Sequence, residues 1–267
     1  MKIEIFSNDG PSSRKVAEAL KAKIAAEHLT IDDDHPEIVI TVGGDGTLLT
    51  AFHHYQDQLA SIRFVGIHTG HLGFYTDWRD YEVDQLIDSL ANDNGQSVTY
   101  PLLDIGVEYD NGAYEKLLAL NESTLKRAMG TMQANVYIKD KLFELFRGDG
   151  LCVSTPTGST AYNKSAGGAV LSSELEAIQV SEIASINNRV FRTLGSPLII
   201  SPSEWVRVEP AQEGEMLLTC DTELVSHQQV KAITYRISKQ KIAFAQYRHT
   251  QFWQRVSESF IGVKPND

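Results

Sequence analysis

The sequence contains few cysteines: Cys152 and Cys220 are the two among 267 residues, and each lies in an apolar run. Neither has a nearby histidine or second cysteine at the spacing that metal sites use, so no zinc motif is recognisable. Nothing in the sequence requires the alternative, a single disulfide bond. We therefore expect two reduced, buried thiols in a cytosolic protein.

Long hydrophobic segments and positive charge are also scarce. No segment approaches the roughly 20 apolar residues of a membrane-spanning helix, and residues 1–6 alternate like a strand and do not resemble a signal peptide. The net charge is -11, from 24 Lys and Arg against 35 Asp and Glu. A nucleic-acid or anionic-membrane partner would require a basic face. We therefore expect a cytoplasmic protein with no nucleic-acid partner and no membrane partner.

The first hundred residues alternate between predicted strands and helices. Continuous apolar runs at residues 38–42 and 63–67 are typical of buried strands, and residues 83–90 carry an apolar stripe with helical spacing. This alternation predicts an α/β domain over residues 1–98, with a Rossmann-like parallel sheet covered by helices. Ligands of such sheets bind beyond the carboxyl ends of the strands.

The hydrophobic pattern changes to a period of two after the turn at residues 92–95. A D-N-G hairpin signal at residues 110–112 and further short apolar runs follow. We therefore expect an antiparallel, β-sandwich-like domain over residues 99–248, interrupted by one helix over residues 174–183. Residues 249–267 are predicted to form a C-terminal helical segment that packs back on the first domain.

The loop G-G-D-G-T at residues 43–47 follows the strand predicted at residues 38–42. Its three glycines leave backbone N–H groups open to an anion. The loop lacks the Gly-Lys-Ser/Thr of a Walker A motif and is not a G-x-G-x-x-G dinucleotide fingerprint. The carboxylate of Asp45 suggests a base, a metal ligand or an acceptor for a substrate hydroxyl. These features fit phosphoryl transfer to a hydroxyl; the alternative is a tight turn in which Asp45 caps the following helix.

A second candidate segment spans residues 155–168, with the sequence T-P-T-G-S-T-A-Y-N-K-S-A-G-G. Tyr162 and Lys164 are its two large side chains. Small residues let a ligand approach the backbone, hydroxyl groups bond phosphate or ribose, and Tyr162 offers a stacking face. The alternative is an ordinary hydroxyl-rich surface loop.

Two shorter patterns are weaker. Asn121-Glu122, at the end of a predicted strand, offers an amide and a carboxylate that suit adenine or ribose. In the R-G-D-G stretch, Arg147 can offset phosphate charge and Asp149 can accept a hydrogen bond from ribose or an amide. The respective alternatives are a solvated loop and a hairpin turn.

Taken together, these patterns resemble the NAD kinase family over almost the whole chain. The family carries a G-G-D-G-T loop, an N-E pair and a T-P-T-G-S-T-A-Y-x-x-S-x-G-G segment, and all three occur here in that order. Residues 66–74 and 186–189 look like the shorter enzymes of Gram-positive bacteria. The glycine loop also occurs in diacylglycerol and sphingosine kinases and, more distantly, in phosphofructokinases, so the other two motifs pick out this family. The resemblance implies transfer of the ATP γ-phosphoryl group to the 2′-hydroxyl of the adenosine ribose of NAD, which yields NADP.

The resemblance also implies roles for individual residues. Asp45 would accept the proton of the ribose hydroxyl or orient that hydroxyl, and Gly46 would approach the nucleotide through its backbone. Asn121 and Glu122 would bind the adenosine half, and Tyr162 would stack on a ring of the dinucleotide. The other NAD- or ATP-binding residues that the resemblance implies are Arg147, Asp149, Thr157, Thr160, Ala161, Asn163, Lys164, Ser165, Ala184 and Thr222.

The resemblance implies a cofactor and an assembly as well. A divalent metal, Mg²⁺, would accompany ATP as its counter-ion, and no residue is predicted as a metal ligand. NAD and ATP would be the small-molecule substrates. The protein would be a homodimer or homotetramer.

Two other functions compete with this one. A lipid kinase that shares the glycine loop would require an apolar acceptor groove or a basic membrane face, which the acidic charge balance disfavours. A non-catalytic dinucleotide sensor would bind NAD or NADP without turnover. The carboxylate of Asp45 disfavours such a sensor, because a pure binder has little use for a negative charge among phosphates.

Overall fold

The chain divides into two structural units: unit 1 is Met1–Tyr100 with Gln240–Asp267, and unit 2 is Pro101–Lys239. The computed structural model describes residues 1–27, 29–70, 73–212, 214–226, 229–248 and 251–262. The domain boundaries expected after residues 98 and 248 stay a prediction.

The elements follow one another in this order along the chain. The strands are β1 (Lys2–Ser7), β2 (Thr30–Ile31), β3 (Ile38–Gly43), β4 (Arg63–His68), β5 (Trp78–Arg79), β6 (Ser97–Tyr109), β7 (Tyr114–Ala119), β8 (Glu122–Arg127), β9 (Met132–Ile138), β10 (Lys141–Gly148), β11 (Gly150–Ser154), β12 (Ile178–Ile183), β13 (Leu198–Ile200), β14 (Val206–Pro210), β15 (Met216–Cys220), β16 (Glu223–Ser226) and β17 (Val230–Ala245). The helices are α1 (Pro11–Ala26), α2 (Asp45–His54), α3 (Val83–Ala91), α4 (Tyr162–Ser165) and α5 (Phe252–Val256), with short 3-10 helices at Gln56–Gln58 and Thr157–Thr160.

Unit 1 contains a parallel sheet with the strand order β2-β1-β3-β4, and the end of β17 pairs with β4. Every residue of β3 is buried, which is typical of a parallel sheet covered on both faces. The apolar stripe of α1, formed by Val16, Leu20 and Ile24, packs into the core of this unit. Because Gly43 pairs with His68, the loops that follow β3 and β4 leave the same edge of the sheet.

Unit 2 consists of two antiparallel sheets. The first has the order β10-β9-β14-β17-β6-β7 and the second has the order β13-β12-β11-β8-β15-β16. One hydrophobic core contains side chains of both sheets, among them Phe146 and Tyr235 from the first and Leu125, Val153 and Ile178 from the second. The predicted fold class, an α/β domain with a parallel sheet followed by an antiparallel β domain, is therefore confirmed.

The helix predicted over residues 174–183 is wrong. Ile178–Ile183 form β12, which pairs with β11 and β13. Ile178 and Val180 join the core of unit 2, while Gln179 and Ser181 lie on the opposite face of the strand. The period of two over these residues, together with pairing on both sides, outweighs the helix propensity of the Glu- and Ala-rich residues before them.

The described part of the C-terminal segment is helical and belongs to unit 1. It comprises α5 and a π-helical turn, Ser257–Ile261. Residues 249–250 and 263–267 of the predicted segment lie outside the described residues, as do residues 71 and 72 of the 66–74 stretch. Within the described ranges, no helix has the length and apolar character needed to cross a bilayer.

Candidate active site

Asp45 is held in a defined orientation at the start of α2. Gly44 precedes the helix in an extended conformation, and Asp45 is the first helical residue. The backbone N–H of Phe74 donates to Asp45 Oδ2 at 2.8 Å, and that of Tyr75 donates to Asp45 Oδ1 at 3.0 Å. Each carboxylate oxygen therefore has one fixed partner and keeps a lone pair for a further donor.

The glycines around Asp45 serve two different purposes. A Cβ atom on Gly73 would collide with the Asp45 carboxylate, and one on Gly43 would collide with a side chain of α2. These two glycines allow close packing. Around Gly44 and Gly46, in contrast, no described atom outside the adjoining backbone lies within 4 Å of such a Cβ. Open space beside backbone N–H groups at a helix N-terminus suits an anion such as phosphate.

The C-terminal helix supports the segment that binds Asp45. Arg255 of α5 is 2% exposed, and its Nη1 donates to the backbone oxygens of Gly73 at 2.6 Å and Thr76 at 3.2 Å. Arg255 also forms an ion pair with Asp77. Arg255 is not among the predicted site residues, because no sequence motif marks a single arginine in this helix.

In unit 2, the second sheet has one apolar face and one face with small or polar side chains. Leu125 of β8 packs into the core, so Glu122 and Lys126 lie on the opposite face of that strand. Glu122 pairs with Ser154 of β11, and Lys126 pairs with Gly150. The small residues of β11 leave room for another segment to pack on this face.

Residues 155–168 and the adjoining Ala169 are attached to this face by hydrogen bonds from β12. Ser181 Oγ of β12 donates to Asn163 Oδ1 at 2.7 Å. The Gln179 side chain of β12 exchanges two hydrogen bonds with the backbone of Ala169, at 2.8 and 3.0 Å. Asn163 is fully buried, so its amide anchors the segment to the sheet.

Hydroxyl groups of this segment bond its own backbone and that of the neighbouring strand end. Thr155 Oγ1 donates to the backbone oxygen of Leu120 at 2.6 Å, and Thr160 Oγ1 donates to that of Thr157 at 3.0 Å. Such local bonds fold tight turns. The hydroxyl-rich composition therefore shapes the segment, and these two hydroxyl groups already donate to backbone oxygens.

The carboxylate of Asp221, which is not among the predicted site residues, holds the Asn121-Glu122 pair. The side chain of Asp221 accepts hydrogen bonds from the backbone N–H groups of Leu120, Asn121 and Glu122 at 2.9, 2.7 and 3.2 Å. Asp221 itself adopts a φ of 50°. Its position beside the candidate Thr222 was the one signal available in the sequence.

Glu122 is a buried carboxyl group with an unusual proton affinity. Burial, and then the nearby charge of Asp221, raises the pKa of Glu122 to about 8, although a hydrogen bond from the backbone of Tyr162 acts in the opposite direction. Glu122 Oε2 has no hydrogen-bond partner in the described part of the chain. At neutral pH the carboxyl group of Glu122 is therefore mostly protonated and able to donate a hydrogen bond.

Three further candidates lie close together in unit 2. The guanidinium group of Arg147 stacks on the Phe191 ring at 3.8 Å from its centroid. The backbone N–H of Asp149 donates to the oxygen of Ile183 at 2.9 Å, next to Ala184, whose φ is 47°. The ends of β10, β11 and β12 thus gather residues that are far apart in the sequence.

The predicted site residues fall into two sets. Asp45 and Gly46 belong to unit 1, and all the others belong to unit 2. Tyr162, Lys164 and Ser165 form most of α4 and are exposed, as is Thr222 in the turn after β15. The remaining predicted site residues of unit 2 are Asn121, Glu122, Arg147, Asp149, Thr157, Thr160, Ala161, Asn163 and Ala184.

Two family models match the chain. The ATP-NAD kinase N-terminal domain matches residues 4–95, and the ATP-NAD kinase C-terminal domain matches residues 120–246. The chain belongs to the NAD kinase family. The resemblance read from the three sequence motifs is therefore confirmed.

Individual relatives cover nearly the whole length of this NAD kinase family member. The NAD kinase of Levilactobacillus brevis is 66% identical over 263 residues, which are 98% of each chain. The NAD kinase of Lacticaseibacillus paracasei is 56% identical over 264 residues, which are 99% of this chain and 100% of that one.

Two solved structures share the fold. The crystal structure of yeast NADH kinase complexed with NADH matches with a TM-score of 0.85 at 19% identity, over 100% of this chain and 89% of that chain. The structure of an NAD kinase from Archaeoglobus fulgidus in complex with ATP matches with a TM-score of 0.74 at 19% identity, over 98% of each chain.

Proposed function

We propose that this protein transfers the γ-phosphoryl group of ATP to the 2′-hydroxyl of the adenosine ribose of NAD and so produces NADP. The observation that carries the proposal is the carboxylate of Asp45, clamped by two backbone N–H groups beside open glycine backbone. This arrangement combines a fixed acceptor for a hydroxyl with space for phosphate.

The mechanism consists mainly of positioning. The ribose hydroxyl donates a hydrogen bond to Asp45, whose orientation is already set by Phe74 and Tyr75. This bond aims the hydroxyl oxygen at the γ-phosphorus. Asp45 accepts the proton as the new O–P bond forms, while the bond between the γ-phosphorus and the ADP oxygen breaks and ADP leaves. The backbone N–H groups near Gly44 and Gly46, at the N-terminus of α2, stabilise the phosphate oxygens.

Unit 2 would bind the dinucleotide. Asn121 and Glu122 bind the adenosine half; Glu122 brings a buried carboxyl oxygen that lacks a partner within the described residues. Tyr162 stacks on the nicotinamide ring, and Asp149 binds on the nicotinamide side.

Mg²⁺ would accompany ATP. Mg²⁺ in kinases is held by substrate phosphates with one or two carboxylates and several waters, and Asp45 offers free lone pairs beside the proposed phosphate space, so the residues fit such an ion. Bound there, the ion would neutralise charge on the phosphates. A homodimer or homotetramer, as the family resemblance implies, and a cytoplasmic location complete the proposal.

The proposal is tested by incubating the protein with NAD, ATP and Mg²⁺ and measuring NADP with an NADP-specific dehydrogenase. We expect NADP to form in proportion to protein and time. Absence of NADP above background would overturn the proposal and favour a dinucleotide sensor if NAD still bound.

The role of Asp45 is tested with the Asp45→Asn variant. We expect NAD binding to persist and kcat to fall by about 10²–10⁴-fold, because an amide cannot accept the hydroxyl proton. Asp57→Asn, which changes an exposed aspartate just beyond α2, serves as the matched control. Near-normal turnover in Asp45→Asn would rule out both the proton-accepting and the orienting role.

A further inference from the structure

Lys126 lies on the face of unit 2 that carries the predicted binding residues, although no sequence motif includes it. It is on β8, four residues after Glu122, and therefore on the same side of the strand. It pairs with Gly150 of β11, directly after the candidate Asp149. A Cβ atom on Gly150 would collide with the backbone oxygen of Leu125 and with the Lys126 side chain, so the glycine makes room for both.

The ammonium group of Lys126 covers one face of the Tyr162 ring. Nζ lies 5.0 Å from the ring centroid, within the distance at which a cation is attracted to an aromatic face. The backbone of Tyr162 is held by its hydrogen bond to Glu122. The tyrosine remains 38% exposed, so part of its ring stays open to a ligand.

Lys126 forms no ion pair with a carboxylate among the described residues. Lys2, Lys23 and Lys139 each have such a partner within 4.0 Å. Lys126 is half-buried, and its ammonium group lies over the tyrosine ring. Within the described residues, its positive charge therefore has no carboxylate in ion-pair contact, although the chain has a net charge of -11.

We propose that Lys126 is a specificity-determining residue that lowers the preference of the site for NAD over NADH. Its ammonium group occupies one face of the Tyr162 ring, on which the nicotinamide stacks. This inference rests on the proposed function, in which Tyr162 stacks on the nicotinamide ring. The nicotinamide of NAD carries a positive charge, and the dihydronicotinamide of NADH does not.

The physical reason is competition for one ring. A cation on one face of an aromatic ring withdraws the electron density that would attract a second cation on the other face. The uncharged dihydronicotinamide is not penalised in this way. Attraction between Lys126 and the phosphates acts equally on both dinucleotides, so it cancels in their ratio.

The test compares Lys126→Met, which keeps an unbranched apolar side chain without charge, with Lys126→Arg, which keeps the charge. Binding is measured by NADH fluorescence and by displacement of NADH with NAD, and KM is measured for both substrates. We expect the ratio of NAD affinity to NADH affinity to rise about 3- to 10-fold in Lys126→Met. Lys126→Arg should keep the wild-type ratio.

Lys15→Met, a change of an exposed lysine on α1, controls for the loss of one charge, and thermal unfolding controls for folding of each variant. An unchanged ratio in a folded Lys126→Met protein would overturn the inference. A wild-type protein that binds both dinucleotides without making NADP would overturn the proposed function alone, because the binding ratio still tests Lys126.

Discussion

Glu122 illustrates how the surroundings of one residue change what its side chain can do. In the sequence it is half of an Asn-Glu pair and offers an acceptor. In the folded protein it is 8% exposed and lies near the charge of Asp221, which itself is committed to three backbone N–H groups. Both effects disfavour the ionised carboxylate. The folded protein therefore holds a neutral carboxylic acid at neutral pH where the sequence shows an ordinary glutamate.

This raised pKa predicts a pH dependence of stability. The pKa of Glu122 in the folded chain, about 8, lies above the value near ~4.3 of an unfolded chain. The stabilisation is therefore complete below about pH 4 and is lost as the pH rises through about 8. Between about pH 6 and pH 9 the wild type should lose roughly 3 kcal/mol more unfolding free energy than Glu122→Gln, which cannot ionise. Urea unfolding at both pH values measures the difference, and equal losses would contradict the prediction.

The C-terminal helix α5 shows how an element without a motif contributes to the site. Its Arg255 binds Gly73, Thr76 and Asp77. The same short segment supplies the two N–H groups that fix Asp45. Support for the candidate catalytic residue thus runs within unit 1 from a helix more than two hundred residues away in the sequence.

Removing this support should affect both stability and turnover. Arg255→Met removes the buried cation that pairs with the half-buried Asp77, which we expect to lower the unfolding free energy by about 3–5 kcal/mol. It should also lower kcat, because the Phe74 and Tyr75 amides are held less firmly. Urea unfolding and hydrogen exchange at those two amides measure the effects. Arg14→Met, which removes an exposed ion pair with Asp9, should change stability by less than about 1 kcal/mol; unchanged exchange in Arg255→Met would refute the proposed support.

On the scale of the whole molecule, the net charge of -11 opposes anionic substrates. NAD and ATP both carry negative phosphates, so the protein field slows their approach over distances comparable with the Debye length. That length falls from about 30 Å at 0.01 M salt to about 10 Å at 0.1 M. Lys and Arg side chains and backbone N–H groups near the phosphates would offset this field, and they act at much shorter range.

We therefore expect kcat/KM for NAD to rise about two-fold or more between 0.01 and 0.1 M salt at constant Mg²⁺ and ATP. Initial rates at low NAD concentration measure this change, and sucrose of equal osmolality serves as the uncharged control. A fall in kcat/KM with added salt would show that attraction by nearby Lys and Arg side chains outweighs the field of the whole molecule.

The sequence by itself determined the fold class, the family and the main candidates, because the signals involved are local. The G-G-D-G-T loop, the Asn-Glu pair and residues 155–168 are contiguous, and each places its functional groups within a few residues. The parallel sheet followed from continuous apolar runs, and the antiparallel domain followed from a period of two. The same local reasoning failed at β12, where pairing with two other strands decided the conformation.

Only the tertiary structure decided which residues surround these motifs. Asp221 accepts a hydrogen bond from the backbone of Glu122. Arg255 supports the segment that binds Asp45, and Lys126 lies over the ring of Tyr162. Asp221 and Arg255 are far in the sequence from the residues that they contact, and Lys126 contacts the Tyr162 ring across the face of a sheet. Hydrogen bonds, burial and cation–π interactions depend on distance in space. No spacing along the chain encodes them, and they appear only when strand register and helix packing bring the side chains together.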